Sequence, residues 1–131
     1  MRFFAVALLV KMLLTSCYDT PYVQGERLYT IHCRNCHMED GSGLESLIKP
    51  LNTSQYLNSN DIVCIIRSGI LDTIRNESDF LPKEMPAFKK LSPVEMTNLV
   101  NYINYKWHTG FREKTILEIE STINQCNTSG N

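Results

Sequence analysis

The sequence predicts an all-α fold, and three observations support this prediction. A capped start at Ser92 introduces an amphipathic segment, a second helix start lies at Asn60, and no stretch alternates apolar and polar residues as a half-buried strand does. The chain has no internal repeat. Its 131 residues are enough for one domain and a leader, but not for two domains.

The first sixteen residues differ in composition from the rest of the chain. Arg2 precedes a short apolar run, and small residues lead up to Cys17. This order predicts a signal peptide at 1–16 rather than a membrane anchor. The four residues ending at Cys17 also resemble the bacterial lipobox, in which Cys17 would carry lipid, although Lys11 interrupts the apolar run. An ordinary cleaved leader without lipid is the alternative.

The segment after the leader predicts one short helix followed by loops. Residues 17–24 are a linker, in which Pro21 stops any helix. Gly25–Cys33 has few helix breakers and places Tyr29 and Ile31 to pack, so a first helix is predicted there. Turn residues dominate the next stretch, which is predicted to be mostly loop.

Two helices with recognisable caps follow. Asn60 starts a predicted helix over an apolar run, and Gly69 ends it. Residues 92–95 then form a capping box with proline at the first helical position. The apolar residues behind this box share one helical face: Met96, Leu99, Val100, Ile103 and Trp107. Gly110 is predicted to end the helix, and the tail after it is compatible with one more.

Residues 33–37 read C-x-x-C-H and carry the chemistry. Two thiols on one helical turn, Cys33 and Cys36, can each add to a haem vinyl group, and the imidazole of His37 then lies under the iron. This pattern is the recognised signal for covalent attachment of haem c. A thioredoxin-like dithiol would need a βαβ setting, and a zinc site would need a second ligand pair.

Met85 is predicted to be the second axial ligand. It lies in a loop between two prolines, and a loop can deliver a thioether to the iron where a regular helix could not. Met38 follows His37 directly and cannot reach the opposite face, while Met96 lies on the apolar face of the last helix. The alternative role for Met85 is to fill a gap in the core.

In these motifs the chain resembles the class I, single-haem bacterial cytochromes c over residues 24–107. The resemblance includes Gly25 and Tyr29 before the attachment motif, the glycine-bearing turn after it, and the Met-Pro loop before the capped last helix. One departure is Met38, which stands where the family usually has glycine.

The resemblance implies a cytochrome c domain at 25–107 and a C-terminal extension at 108–131 that has no counterpart in the family. It implies three to five short helices wrapped around one covalently bound haem, with the N- and C-terminal helices crossing. It also implies that the carbonyl of Pro50 orients His37.

His37/Met85 ligation would leave no open position on the iron, so the expected function is one-electron transfer and not catalysis. A monomer on the periplasmic side of a bacterial membrane, anchored through Cys17, would then meet redox proteins transiently. A haem-based sensor or peroxidase-like enzyme with a labile Met85 is one alternative. A fixed cytochrome c subunit of a larger respiratory complex is another.

Charge and cysteine content bear on two further questions, nucleic-acid binding and the state of the remaining thiols. The chain has 13 basic and 14 acidic residues and no basic block, so no nucleic-acid partner is expected. Loss of Arg2 and Lys11 with the leader leaves a mildly acidic domain. Cys64 falls in an apolar run and is predicted to be a buried free thiol. A Cys64–Cys126 disulfide in an oxidising compartment is the alternative.

Overall fold

The computed structural model describes residues 20–44, 47–70 and 84–128. In these ranges the chain forms five helices: α1 (Val23–His32), α2 (Arg34–His37), α3 (Asp61–Ser68), α4 (Pro93–Trp107) and α5 (Ile116–Thr128). The β-pairing of these ranges is limited to isolated bridges, so the predicted all-α class is confirmed. The predicted leader at 1–16, Cys17 and most of the polar loop after Ile70 lie outside the described residues.

Helices α1 and α4 cross in close contact, as the resemblance implied. Gly25 lies at the crossing, where a β-carbon would collide with the carbonyl oxygen of Asn98 and with Cβ of Tyr102. Next to this contact, the Tyr29 ring lies 5.7 Å from that of Tyr102 and 5.2 Å from that of Trp107, measured between centroids. The absence of a side chain at Gly25 therefore allows the two backbones to approach.

Helix α4 follows its sequence pattern closely. Glu95 and Ser92 form the predicted capping box, with the Ser92 amide donating to Glu95 at 2.8 Å. The predicted apolar face is buried, apart from a half-buried Trp107. The helix ends at Trp107, before Gly110, because His108 adopts an extended conformation.

Helix α3 begins at the predicted residue but without the predicted cap. The Asn60 side chain makes no capping hydrogen bond. Its oxygen instead accepts from Nζ of Lys114, at 2.9 Å. The side chain that the local sequence predicts as the N-cap of α3 is therefore hydrogen-bonded to a distant lysine instead.

Residues 108–128, called the C-terminal segment below, pack against α3 and α4. Asn101 of α4 and the backbone of Lys114 exchange two hydrogen bonds, each of 2.9 Å, before α5 begins. In α5, Ile119 and Ile123 join the core. Cys126 forms a disulfide with Cys64, so the prediction of a free thiol at Cys64 was wrong. Packing of α5 on α3 brings the Cα atoms to 5.4 Å, a proximity that local sequence cannot reveal.

Candidate haem site

The C-x-x-C-H motif occupies the junction between α1 and α2. The amides of Cys36 and His37 both donate to the carbonyl of Cys33, at 3.1 and 2.9 Å, so the motif closes into one helical turn. Cys33 is buried and Cys36 is exposed. The two thiols and the imidazole therefore share one turn, with one thiol facing the core and the other facing outward.

The buried Cys33 thiol has a different pKa from the reactive thiols of redox-active dithiols. Burial, with a smaller contribution from the neighbouring Cys36, raises the pKa of the Cys33 thiol to about 12. A thiol nucleophile in a dithiol oxidoreductase needs a lowered pKa so that the thiolate is present. The electrostatics of this turn thus disfavour the thioredoxin-like alternative.

His37 has the properties that a metal-binding imidazole requires. Its Nδ1 atom is buried and has no hydrogen-bond partner among the described residues. Burial lowers the pKa of His37, and a hydrogen bond to the backbone of Lys49 partly opposes this effect. Lys49 directly precedes Pro50, whose carbonyl the resemblance implied as the orienting group, and that role of Pro50 stays a prediction. A neutral imidazole with one unpartnered nitrogen fits an iron ligand.

The residue after His37 is held in an unusual backbone conformation. Met38 has φ +60° and ψ 171°, a region that is essentially restricted to glycine. The Tyr29 hydroxyl donates to the Met38 carbonyl at 2.6 Å. Gly43 donates to the His37 carbonyl at 3.2 Å and closes the following turn. The departure from the family's usual glycine is therefore accommodated by strain, which the Tyr29 hydrogen bond helps to hold.

Residues 84–88, called the Met85 segment below, are anchored to the end of α3. Ile70 and Met85 exchange two backbone hydrogen bonds, of 2.9 and 3.0 Å, and Phe88 donates to the Ile66 carbonyl at 3.0 Å. Gly69 makes this approach feasible, because any side chain there would collide with the Met85 carbonyl. Met85 itself is half-buried against the core.

An aromatic contact joins the Met85 segment to the end of α1, next to the attachment motif. The Phe88 ring lies edge-on to His32, the last residue of α1, with centroids 5.4 Å apart. His32 directly precedes Cys33. The structure thus brings Cys33, Cys36 and His37 into one turn and carries Met85 on a separate segment that contacts the end of α1.

Several residues of this region were not identified from sequence. Lys49, Gly69 and His32 act here through their backbone or through a contact with a distant segment. Gly69 was predicted only to stop a helix, and its proximity to Met85 has no local signal. Ile31, predicted to pack, is 57% exposed.

An all-α domain whose crossing helices flank a C-x-x-C-H turn has the architecture of a c-type cytochrome. The family model described as cytochrome c oxidase, cbb3-type, subunit III matches residues 21–103, and the chain belongs to this cytochrome c family. Membership confirms the resemblance found in the sequence and identifies a haem-binding, electron-transfer domain.

A curated relative has the same kind of domain within a much longer chain. The cytochrome c subunit of alcohol dehydrogenase (quinone) from Gluconobacter oxydans (strain 621H) is 29% identical over 86 residues. The match covers 63% of this chain and 18% of the relative. The chain thus spans less than a fifth of that relative's length. Among the described helices, none has the length and apolar character needed to cross a bilayer.

Proposed function

We propose that this protein is a one-electron carrier with one haem c, bound covalently through Cys33 and Cys36 and ligated by His37 and Met85. The observation that carries the proposal is the buried, unpartnered Nδ1 of His37, next to two thiols on the same helical turn. Bound haem would supply an iron that alternates between ferrous and ferric states.

The chain's residues have distinct roles in this proposal. Cys33 and Cys36 fix the cofactor, and the Lys49 backbone orients the imidazole of His37. The thioether of Met85 favours ferrous iron and raises the reduction potential. Two protein ligands would leave no position for a substrate, which supports electron transfer over catalysis.

The Tyr29 hydroxyl helps to fix the backbone next to His37. Its hydrogen bond to the Met38 carbonyl fixes the peptide that follows the ligand. Burial of this hydroxyl, reinforced by Cys33, Tyr102 and Asp40, raises its pKa, so the hydroxyl remains a donor at neutral pH. Tyr29 is therefore a positioning residue in the proposal.

The mass of the denatured protein tests attachment directly. The protein exported from a host with haem c maturation should carry one haem, and Cys33→Ala with Cys36→Ala should abolish this added mass. His37→Ala should strongly reduce haem incorporation. A colourless wild-type protein, obtained where other haem c proteins mature normally, would overturn the proposal.

Absorption of the ferric protein tests Met85 separately. We expect the far-red sulfur-to-iron band in the wild type, its loss in Met85→Ala, and its retention in Met96→Leu, a control for methionine loss in the core. The covalent haem should survive in both variants. Tight binding of CO by the unmodified protein would instead support a haem-based sensor or peroxidase-like enzyme.

A second candidate function is a fixed cytochrome subunit of a larger redox complex. The relative is named as a cytochrome c subunit of a dehydrogenase, and its match covers a small part of its length. Ile116 and Leu117 of α5 are 45% and 77% exposed and offer an apolar contact. Purification from native membranes separates the candidates: a stoichiometric partner favours the subunit, and a free monomer favours the carrier with transient redox partners.

We further propose an extracytoplasmic location, with signal peptide 1–16, linker 17–24, haem domain 25–107 and extension 108–131. Lipid on Cys17 would hold the domain at the periplasmic face of a membrane. The native protein should then show the mass of a lipidated N-terminal cysteine. Cys17→Ser should release the protein from the membrane fraction, and its retention there would contradict the anchor.

A further inference from the structure

The Cys64–Cys126 disulfide connects α3, which lies within the matched family region, with α5, which lies outside it. We infer that this disulfide positions Met85: it fixes α3 against α5, and the end of α3 holds the Met85 segment. Cys64 and Cys126 would thus influence the iron through Met85. The inference rests on the proposed ligation by Met85.

Helix α3 is too short to maintain its own position. It has eight residues, whereas isolated helices shorter than about 12 residues are marginal in water. Three side chains, Ile62, Val63 and Ile66, are buried in the core. Its first residue lacks a side-chain cap. The orientation of α3 therefore depends on links to other elements.

A disulfide and a hydrogen bond link α3 and its cap residue to the C-terminal segment. The disulfide attaches at Cys64, near the middle of the helix. Lys114 attaches to Asn60, at the start, and is itself fixed by its two backbone hydrogen bonds with Asn101. Because the links fall at different points along α3, together they oppose its sliding and its rotation.

The far end of α3 transmits this restraint to Met85. The backbone of Phe88 is hydrogen-bonded to Ile66 within the helix, and the backbone of Met85 is hydrogen-bonded to Ile70 just beyond it. Backbone hydrogen bonds keep their strength over only a few tenths of an ångström. A larger displacement of α3 must therefore either move the Met85 backbone or break these bonds.

Cleavage of the disulfide removes the covalent link and leaves the peptide chain intact. A dithiol reductant supplies two electrons and two protons: the Cys64–Cys126 S–S bond breaks, two protein thiols form, and the reductant becomes a disulfide. Cys64 is half-buried, and Cys126 lies near the end of α5. After cleavage, the hydrogen bond from Lys114 to Asn60 and apolar packing remain between α3 and the C-terminal segment.

The test compares the wild-type holoprotein with a Cys64→Ala/Cys126→Ala double variant. The pH at which the ferric far-red band is lost should fall by about one unit, equivalent to about tenfold weaker Met85 binding. CO binding to the ferrous protein, which requires Met85 to leave the iron, should accelerate by about the same factor. Val100→Ala, a buried truncation that leaves the disulfide intact, is the control for lost stability.

The outcomes separate positioning from simple stabilisation. If the double variant unfolds at lower urea concentration but keeps the wild-type pH midpoint and CO rate, the inference is wrong. An equal change in Val100→Ala would also contradict it. If the double variant fails to accumulate haem, the wild-type holoprotein treated with a dithiol, with cleavage verified by thiol labelling, gives the same comparison.

The proposed ligation can fail independently of this inference. A wild-type protein without the far-red band, unchanged by Met85→Ala, would refute Met85 as ligand and the inference with it. A band that Met85→Ala abolishes but that disulfide loss leaves unaltered would refute the inference alone.

Discussion

The two helix pairs of this domain are held together by different physical means. At the α1–α4 crossing, backbones meet where Gly25 has no side chain, and aromatic rings pack beside the contact. In the α3–α5 pair, a disulfide links the two helices, and a hydrogen bond joins Asn60 and Lys114, which lie just before them in the chain. The contacts of Gly25 with Asn98 and Tyr102 lie within the matched family region, and α5 lies beyond it. The α1–α4 pair thus depends on close packing of backbones and rings, whereas the attachment of α5 also depends on a covalent bond and a specific hydrogen bond.

The largest expected effect comes from opening the α3–α5 pair. Loss of the Cys64–Cys126 disulfide should lower the free energy of unfolding by about 4 kcal/mol, because a cross-link spanning some 62 residues strongly restricts the unfolded chain. Urea unfolding of the double alanine variant measures this change. Leu117→Ala on the exposed side of α5 is the control and should have little effect. A loss below about 1 kcal/mol would mean that the link adds little restraint.

The next effect comes from the α1–α4 crossing. Gly25→Ala should destabilise the protein by about 3 kcal/mol, because the new β-carbon meets the Asn98 backbone, which cannot move as a flexible side chain would. Gly110→Ala is the matched control, since the space around Gly110 is open and only its positive φ is unfavourable. Equal losses in the two variants would show that the crossing tolerates a wider separation.

A third change tests the junction between the two pairs. Asn101→Ala should cost about 2 kcal/mol, because it leaves the buried amide and carbonyl of Lys114 without partners. Thermal unfolding of the variant checks this value. Asn98→Ala, which removes an exposed side-chain hydrogen bond to the Val94 carbonyl of the same helix, should cost much less. Similar melting temperatures for the two variants would contradict the assignment.

Strain beside the proposed iron ligand predicts a gain in stability. Met38→Gly should stabilise the protein by about 1 kcal/mol, because glycine adopts the observed conformation without steric cost. Asn58→Gly is a second site with positive φ for comparison, but there the side chain also accepts from Arg112. A loss of stability in Met38→Gly would show that the side chain of Met38 contributes more than its backbone costs.

The smallest effect concerns pH and the start of α5. Hydrogen bonds from Arg112 and then from Thr115 lower the pKa of Glu118 to about 2. Because the folded state depresses this pKa, the associated stability is present above about pH 4.5, the ordinary value, and is lost as the pH falls towards 2. Glu118→Gln should remove this part of the acid dependence. An unchanged acid unfolding curve would contradict it.

The sequence predicted those parts of the fold that are encoded locally. The capping box at Ser92 and the apolar face behind it require only neighbouring residues, and the structure contains both. The cap at Asn60 looked equally local, but Lys114 binds the side chain instead. A short-range pattern can therefore predict where a helix starts, but it predicts the capping hydrogen bond only when no distant group competes for the same side chain.

The candidate site likewise has a part that the local sequence predicts and a part that only the folded chain reveals. Cys33, Cys36 and His37 are adjacent in the chain, so their spacing alone suggests shared chemistry. The resemblance placed the backbone group that orients His37 at Pro50, which stays a prediction. The backbone that acts on the pKa of His37 is that of Lys49, one residue earlier, and only the loop geometry decides which carbonyl turns towards the ring. The pairing of Cys64 with Cys126 depends on how α5 packs, which periodicity does not specify.

The same cross-link makes residues 64–126 a covalent ring that contains α4 and the Met85 segment. A single peptide-bond cut anywhere inside this ring leaves both cut ends attached to one molecule. A nicked protein should therefore migrate as an intact chain until its thiols are freed, and the fragment bearing Met85 would stay tethered to the fragment bearing His37. Hydrolysis of one bond within the ring would then be insufficient to part the two proposed iron ligands.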